Sequence, residues 1–304
     1  MYLNYYFDLL NLKKIPSFLK KYLKCPSLVR LKKVGYFCGM DYASKNIYDF
    51  REYITRYDHS LSVALLTYKL TKSKKATLAG LFHDIATPCF SHVIDYMNGD
   101  YATQESTEEY MEKILQNDKY LSKCLKKDKI NLKDISNFKK YTIVDNNRPK
   151  LCADRLDGII LTSISWTKNI SLEEIKMIVN DICVLQNESM EKEIGFKSID
   201  VAKRVIILSE IIDHYCHSDE DNYMMQLLAK ITKYAIDKKF FTYDDLYFYD
   251  EEYIINIFEK IKDKEFVESF MKFKNIIKDE IEKEDIPFIK RRNISPLVNG
   301  LRIK

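Results

Sequence analysis

A chain of 304 residues is long enough to bury a sizeable hydrophobic core, in one large domain or in two. Its 7 glycines and 6 prolines are too few for a β-sandwich or barrel, which needs a turn roughly every 8–12 residues, so the composition favours long helices. A net charge of only +4, with 31% charged residues, does not indicate the concentrated basic surface of a nucleic-acid-binding domain.

The cysteines and the apolar segments indicate the compartment. The 7 cysteines are odd in number, widely spaced and without a C-x-x-C pair, which excludes a zinc ribbon or a disulfide framework. No apolar run reaches about 18 residues, and the N-terminus lacks a basic segment followed by a cleavage site. We therefore expect a soluble, cytoplasmic protein with reduced thiols and no membrane partner. Its oligomeric state stays open, a homo-oligomer included.

In chain order, residues 1–35 are amphipathic and basic and predict short helices, and residues 36–57 form a connecting segment. From Asp58 to Lys72, apolar residues recur at helical spacing, which predicts a helix with His59 on its buried face. A second helix is predicted from Lys74 to Ala86, because the proline that follows cannot continue it. Small residues surround its histidine, so the two helices are expected to approach closely.

The rest of the chain predicts mainly helices. Turn residues at 98–100 and 146–149, and a capping box at 106–109, separate helical segments, the last of which carries Asp154. Further helices are predicted from Leu172 to Lys239, with a break at 218–221. Short strands are predicted at Phe240–Tyr243 and Pro287–Arg291.

Three of the five histidines lie between residues 59 and 92, and they predict a metal site. His83-Asp84, with His59 on a neighbouring helix, brings imidazole and carboxylate donors towards one point, and Asp154 is the candidate for a further carboxylate. These donors suit Zn, Mn, Fe, Co, Ni or Mg rather than a thiolate-bound ion. A single histidine on an apolar face is usually a core residue. A buried aspartate beside it is costly unless it is paired, which favours the metal site.

Three segments of the sequence resemble the motifs of a known family. Arg56-Tyr57-Asp58-His59-Ser60-Leu61-Ser62-Val63, His83 through His92, and Asp154-Arg155-Leu156-Asp157 are similar to R-F-E-H-S-L-G-V, H-D-x-G-H-G-P-F-S-H and D-x-x-D. These are motifs of the HD superfamily of metal-dependent phosphohydrolases. The resemblance is greatest to its deoxynucleoside triphosphate triphosphohydrolase branch, which includes the sterile-alpha-motif/HD proteins.

The resemblance implies an all-α fold in a single domain over residues 1–304. An HD-domain helical core would span about residues 36–166, and a C-terminal helical lobe about residues 170–304, with room for a few short strands. It also implies one divalent metal ion, held by His59, His83, Asp84 and Asp154.

The same resemblance implies the residues that act on the substrate. Arg56 would hold a substrate phosphate, and His92 would be the catalytic histidine, oriented by Asp95. Glu105 is a further catalytic candidate, which would replace part of the role of a histidine that the family has nearby.

Several positions depart from the family pattern. Thr87 and Gln104 stand where the family has histidines, and Lys33 stands where it has a sugar-reading glutamine. Gly158 stands where it has an aromatic ring, so open space is expected there. Gln104 and Lys33 remain substrate-binding candidates, Lys33 for a phosphate. These changes predict a weak preference between ribose and deoxyribose.

The sequence thus predicts a metal-dependent phosphohydrolase acting on a nucleotide-like phosphoester or phosphoanhydride, with a phosphorylated small molecule as partner. A nucleoside monophosphate and a cyclic or signalling nucleotide remain open as substrates. The alternative is a catalytically weak or inactive HD-fold protein that binds a metal or nucleotide for regulation.

Overall fold

A computed structural model describes residues 1–104, 110–283 and 289–303, and the fold is mainly helical. Before residue 150 the helices are α1 Tyr2–Leu9, α2 Leu19–Tyr22, α3 Pro26–Arg30, α4 Arg56–Thr71, α5 Lys74–Phe82, α6 His92–Met97, α7 Met111–Asn117, α8 Lys119–Asp128 and α9 Lys133–Ser136. Those that follow are α10 Ala153–Ser165, α11 Leu172–Asp181, α12 Ile199–Cys216, α13 Asp219–Asp237, α14 Asp245–Phe248, α15 Glu251–Phe258 and α16 Lys264–Asn275. Within the described ranges, no helix combines the length and apolar character needed to cross a membrane.

Helices α4 and α5 pack closely against each other, as predicted. A capping box between Thr55 and Asp58 begins α4, and Ser73 accepts a hydrogen bond from a backbone N–H to begin α5. Gly80 lets the helices pack closely, because a Cβ there would lie only 3.2 Å from the Thr67 hydroxyl. The two helices therefore bring their metal-ligand candidates within reach of each other.

Helix α5 ends earlier than the sequence predicts, at Phe82 rather than Ala86. Beyond that point the backbone forms tight turns, in which Ile85 donates to the Phe82 carbonyl and Thr87 to the Asp84 carbonyl. The Gly80 carbonyl also accepts a hydrogen bond from the imidazole of His83. The His-Asp pair thus lies in a turn, which lets both side chains face the same side.

The strands lie elsewhere than predicted. The sheet has the order β1 Ile182–Gln186, β2 Lys192–Phe196, β3 Leu297–Val298 and β4 Leu301–Arg302. Its first two strands interrupt the segment that was predicted to be helical. Strands β1 and β2 are antiparallel, and β3 pairs parallel to β2. Phe240–Tyr243 is a turn, because the Thr242 N–H is taken by the side chain of Asp245. Residues 289–291 are irregular.

Two further predictions concern the boundaries of elements. The break at 218–221 is confirmed in that α12 ends at Cys216 and α13 begins at Asp219, capped by Ser218. The capping box predicted at 106–109 lies outside the described residues, as do residues 287 and 288 of the second predicted strand.

One buried carboxylate connects the C-terminal helices to the HD-like motifs. Glu251, at the start of α15, is fully buried, and its two oxygens accept hydrogen bonds from the backbone N–H groups of Gly35 and Phe90, each at 3.0 Å. Phe90 and Ser91 both have left-handed backbone, with φ of 65° and 46°. Such conformations in non-glycine residues cost on the order of 1–3 kcal/mol each. The hydrogen bond from Glu251 therefore helps to hold the loop that leads to His92.

We predict that Glu251 makes stability depend on pH. Burial, together with the nearby Asp41, raises the pKa of Glu251 to about 8 from an unfolded value of 4.5. The folded protein keeps the proton in this window while the unfolded chain loses it, so the free energy of unfolding falls as pH rises from 4.5 to 8. The loss is about 1.4 kcal/mol per pH unit at most.

Urea denaturation of wild type and Glu251→Gln at pH 5.5 and 8.0 measures this effect. The amide cannot ionise, so the stability of Glu251→Gln relative to wild type should improve by a few kcal/mol between these pH values. Glu252→Gln is the matched control, because Glu252 is exposed and bonds Lys33. A relative stability of Glu251→Gln that does not change with pH would contradict the assignment.

Candidate metal centre and its cavity

The four metal-ligand candidates converge. His59 comes from α4, His83 and Asp84 from the turn after α5, and Asp154 from the first turn of α10. The His59 Nε2 atom lies 3.2 Å from His83 Nε2 and 3.0 Å from Asp154 Oδ1. Asp84 Oδ1 is 3.5 Å from His83 Nε2, and Asp84 Oδ2 is 3.7 Å from His59 Nε2. Two imidazole nitrogens and two carboxylates thus surround one point.

The outer nitrogen of each imidazole fixes its tautomer. His83 Nδ1 lies 2.8 Å from the Gly80 carbonyl, which can only accept, so the proton is on Nδ1. His59 Nδ1 lies 2.7 Å from Asp157 Oδ2, and the hydroxyl of Tyr6 donates to the other oxygen of that carboxylate. When both rings are neutral, their Nε2 lone pairs point inward at each other, an arrangement that a proton or a metal cation between them relieves.

Asp157 is a site residue that the sequence analysis did not single out. It is fully buried and lies one helical turn after Asp154. The signal was present in the D-x-x-D spacing, because residues three apart share a face of a helix. One aspartate of this motif approaches the metal position and the other orients His59.

The charges of the cluster also favour a cation. Although burial opposes it, hydrogen bonds to Asp154 and Asp157 raise the pKa of His59 to about 10. Burial alone would raise the pKa of Asp154, but its hydrogen bonds to His59 and His83 hold it well below its usual range. Without a metal the cluster retains protons at neutral pH, and a divalent ion would replace them. The nitrogen and oxygen donors fit such an ion.

Arg56 is tied to the metal-ligand cluster as well as to the cavity beside it. Its Nη1 donates to Asp84 Oδ2 at 2.9 Å, its Nε donates to Ser91 Oγ at 3.2 Å, and its guanidinium lies over the ring of Tyr36. Its Nη2 has no hydrogen-bond partner within the described ranges. Arg56 therefore holds Asp84 in place and still offers a donor to a ligand.

His92 and Asp95 form the pair that the sequence predicts. His92 Nδ1 lies 2.8 Å from Asp95 Oδ2, and the Asp95 side chain is fully buried. This contact leaves Nε2 of the imidazole for the cavity, which His92 lines. Burial lowers the pKa of His92, the carboxylate of Asp95 opposes this, and the cations of Arg56 and Arg292 add to the lowering.

The remaining predicted site residues differ in their placement. Gln104 is buried at the cavity, and its side-chain oxygen accepts a hydrogen bond from Arg292. Lys33 is not brought to the site, because its ammonium is exposed and pairs with Glu252 at 2.7 Å. The geometry therefore argues against a substrate role for Lys33. Glu105 lies outside the described residues.

The space expected at Gly158 is filled by Tyr36. A Cβ at position 158 would lie 2.9 Å from the Tyr36 hydroxyl, so a larger residue would displace that ring. Tyr36 also packs against His59, with ring centroids 5.1 Å apart. The glycine thus admits an aromatic ring from another segment in place of the one in the family motif.

The cluster lies at the side of a cavity of about 580 Å³. Its lining includes residues that the sequence analysis missed, which are Phe37, Tyr48, Phe50, Arg148, Trp166, Asp221 and Arg292. Of these, Trp166 is the only tryptophan of the chain. The others carried no motif, and distant segments bring them together.

We predict a graded loss of metal affinity in two variants. His83→Ala removes a ligand and should leave the purified protein without metal after loading with Mn²⁺ and desalting. Asp157→Asn keeps every ligand but weakens the orientation of His59, and should reduce metal affinity about 10–100-fold. Elemental analysis and Mn²⁺ titration measure both, with the surface variant Asp219→Asn as control. Full metal content in His83→Ala would contradict the ligand assignment.

Comparisons with known proteins agree with this geometry. Residues 56–160 match the HD domain family. The chain is 26% identical over 254 residues to the uncharacterized protein YdhJ of Bacillus subtilis, covering 81% of this chain and 74% of that protein. It is 25% identical over 157 residues to the metal-dependent phosphohydrolase cns2 of Cordyceps militaris, covering 52% of this chain and 41% of that protein.

A solved structure shows the same fold. The crystal structure of a hypothetical protein from Aquifex aeolicus superposes with a TM-score of 0.61 and 18% identity, over 85% of this chain and 71% of that one. The helical core, the converging His-Asp cluster and the HD-domain match lead to one conclusion. Residues 56–160 are similar to the HD domain family, and the chain is an HD-type metal-dependent phosphohydrolase with a divalent metal ion as its cofactor.

Proposed function

We propose that the protein hydrolyses a phosphoester or phosphoanhydride bond of a nucleotide-like small molecule. The observation that carries this proposal is the composition of the cavity, in which the metal-ligand cluster, arginines without acidic partners and a wall of aromatic rings share one space of about 580 Å³. These three parts correspond to the reacting phosphate, the negative charge and the planar base of a nucleotide. The name of the Cordyceps relative, a metal-dependent phosphohydrolase, is consistent with the proposal.

Two arginines add positive charge to the cavity, with Asp154 near Arg148 and Asp221 near Arg292 but neither carboxylate paired with them. Within the described part of the chain, no carboxylate lies within ion-pair distance of Arg148 or Arg292, and Arg292 Nε is buried without a hydrogen-bond partner. Burial and the neighbouring cations of Arg292 and Arg155 lower the pKa of Arg148 to about 10. A phosphate bound between these side chains would relieve their repulsion through charge-assisted hydrogen bonds.

The aromatic wall supports a planar ring in the substrate. Phe37 and Phe50 stack with centroids 4.4 Å apart, Tyr48 stacks on Phe50 at 5.5 Å, and Trp166 lies 6.0 Å from Tyr48. All four rings line the cavity. Such a wall favours a nucleobase over a purely aliphatic phosphoester.

The metal, held by His59, His83, Asp84 and Asp154, would supply Lewis acidity and lower the pKa of bound water. Arg56 then donates from Nη2 to a non-bridging oxygen. His92 Nε2 gives a proton to the leaving-group oxygen, while Asp95 keeps the imidazole in the required tautomer.

Binding of the substrate would change the pKa of His92. The cations of Arg56 and Arg292 help to lower the pKa of the free imidazole. A phosphate that binds beside them offsets their charge, so the protonated form of His92 becomes easier to reach when the proton is needed.

The site would discriminate only weakly between the sugars of its substrates. Lys33, which stands where the family has a sugar-reading glutamine, lies away from the cavity lining, and Tyr36 fills the space at Gly158. We therefore propose a weak preference between ribose and deoxyribose, since discrimination requires groups built to bond or exclude a hydroxyl.

A nucleotide panel with Mn²⁺ tests the proposed function. Phosphate release and quenching of Trp166 fluorescence, measured across nucleoside mono-, di- and triphosphates, should identify at least one base-containing substrate. On that substrate His92→Ala should lower kcat about 10²-fold or more, with little change in the quenching titration, because the proton donor is lost while the binding groups remain.

His214→Ala is the matched control, since His214 is exposed on α12. Absence of both quenching and hydrolysis for every nucleotide at millimolar concentration would overturn the nucleotide proposal. A full kcat in His92→Ala would instead make His92 a structural residue.

A further inference from the structure

Asp221 is a buried carboxylate at the cavity for which the hydrolytic mechanism has no use. It lies in the first turn of α13, is only 8% exposed, and lines the cavity. The Tyr48 hydroxyl donates to its Oδ1 at 2.7 Å. Its Oδ2 has no hydrogen-bond partner within the described ranges. This oxygen is open to the cavity, so it can accept a hydrogen bond from a ligand bound there.

We propose that Asp221 binds the base of the substrate by accepting a hydrogen bond from one of its N–H groups. This proposal rests on the proposed nucleotide function. It adds which edge of the base the protein contacts. The bases it admits are those with an amino or imino N–H, and a purine ring without one would be disfavoured.

The position of Asp221 relative to the aromatic wall favours a base over a sugar. Its partner Tyr48 is itself a member of the wall formed by Phe37, Tyr48, Phe50 and Trp166. A carboxylate bonded to the hydroxyl of that ring lies at the edge of the wall rather than over a ring face. A base that stacks on the wall would therefore direct its in-plane N–H groups towards Asp221.

The neighbours of Asp221 do not satisfy it. Arg292, a cation at the same cavity, bonds Gln104 and forms no ion pair with Asp221 among the described residues. The next residue, Asn222, is already engaged by the hydroxyl of Tyr96 at 3.0 Å. Burial raises the pKa of Asp221 to about 6, so the side chain is ionised, and is a pure acceptor, at pH 7.5.

A comparison of two purine nucleotides tests the proposal. ATP and purine riboside triphosphate differ by the 6-amino group, and the second has no N–H on its base. Titration of Trp166 fluorescence at pH 7.5 should show wild type binding ATP at least about tenfold more tightly, the smallest change expected when a hydrogen bond to a charged acceptor is lost.

Variants assign that preference to Asp221. In Asp221→Asn the amide oxygen can still accept from Tyr48, which leaves the NH₂ group facing the base, so the preference should fall to about one or reverse. Asp219→Asn is the matched control, because it makes the same charge change in the same turn of α13 at an exposed position, and should keep the preference. Tyr48→Phe frees the carboxylate and should reduce the preference several-fold, and it carries the test if Asp221→Asn does not fold.

The remaining outcomes separate this proposal from the proposed function. Hydrolysis of bis(p-nitrophenyl) phosphate by wild type reports phosphohydrolase activity without any base. If wild type hydrolyses nucleotides but binds ATP and purine riboside triphosphate equally, the Asp221 proposal fails and the proposed function stands. If Asp221→Asn alters the ratio between ATP and dATP instead, the carboxylate reads the sugar and the proposal is overturned. If no nucleotide binds, both fail.

Discussion

The hydrogen bond between His59 Nδ1 and Asp157 Oδ2 is the contact on which the metal centre depends. It joins α4 to α10 in a region from which solvent is excluded, and it forces the lone pair of His59 Nε2 towards His83. Two buried imidazoles that face each other through lone pairs repel unless a cation lies between them. The same helix that carries Asp157 also brings Asp154 to that point, so the packing of two helices sets both the ligands and their orientation.

The side of the cavity that carries His92 depends on a second buried acidic side chain. Glu251 holds the N–H groups of Gly35 and Phe90, which precede Tyr36 on one side of the site and Ser91 and His92 on the other. Glu251 belongs to the C-terminal part of the chain. That part therefore helps to shape the cavity as well as to cover the core. The left-handed backbone at Phe90 and Ser91 is retained because this contact and the packing around it compensate for its cost.

The candidate metal ligands could be proposed from sequence because their signal is local. His59 and the His-Asp pair follow helical periodicity and spacing. In the structure His59, His83 and Asp154 converge, and Asp84 lies within 3.7 Å of both imidazoles. Asp157 was within reach of the same reasoning. The positions of the strands could not be predicted in this way. Strands β1 and β2 form inside a segment whose apolar pattern resembles a helix, and β3, which pairs with β2, lies about 100 residues later in the chain.

The rest of the site could not be read from sequence because it arises from distant contacts. Arg148 and Asp221 belong to no motif, and only folding places them, with Arg292, on the cavity. Lys33 shows the converse. Its motif position suggested a phosphate contact, but an acidic residue more than 200 positions away binds its ammonium at the surface. Similarly, the sequence predicted open space at Gly158, but Tyr36 from another segment fills it.

The most direct test of the account is the dependence of hydrolysis on the metal. Protein stripped with a chelator should be folded but inactive on bis(p-nitrophenyl) phosphate, because the inward-facing cluster then holds protons instead of an ion. Activity should return on titration with Mn²⁺ and saturate at about one ion per chain, as a single four-ligand centre requires. Stripped protein that hydrolyses the ester as fast as the metal-loaded protein would contradict the account.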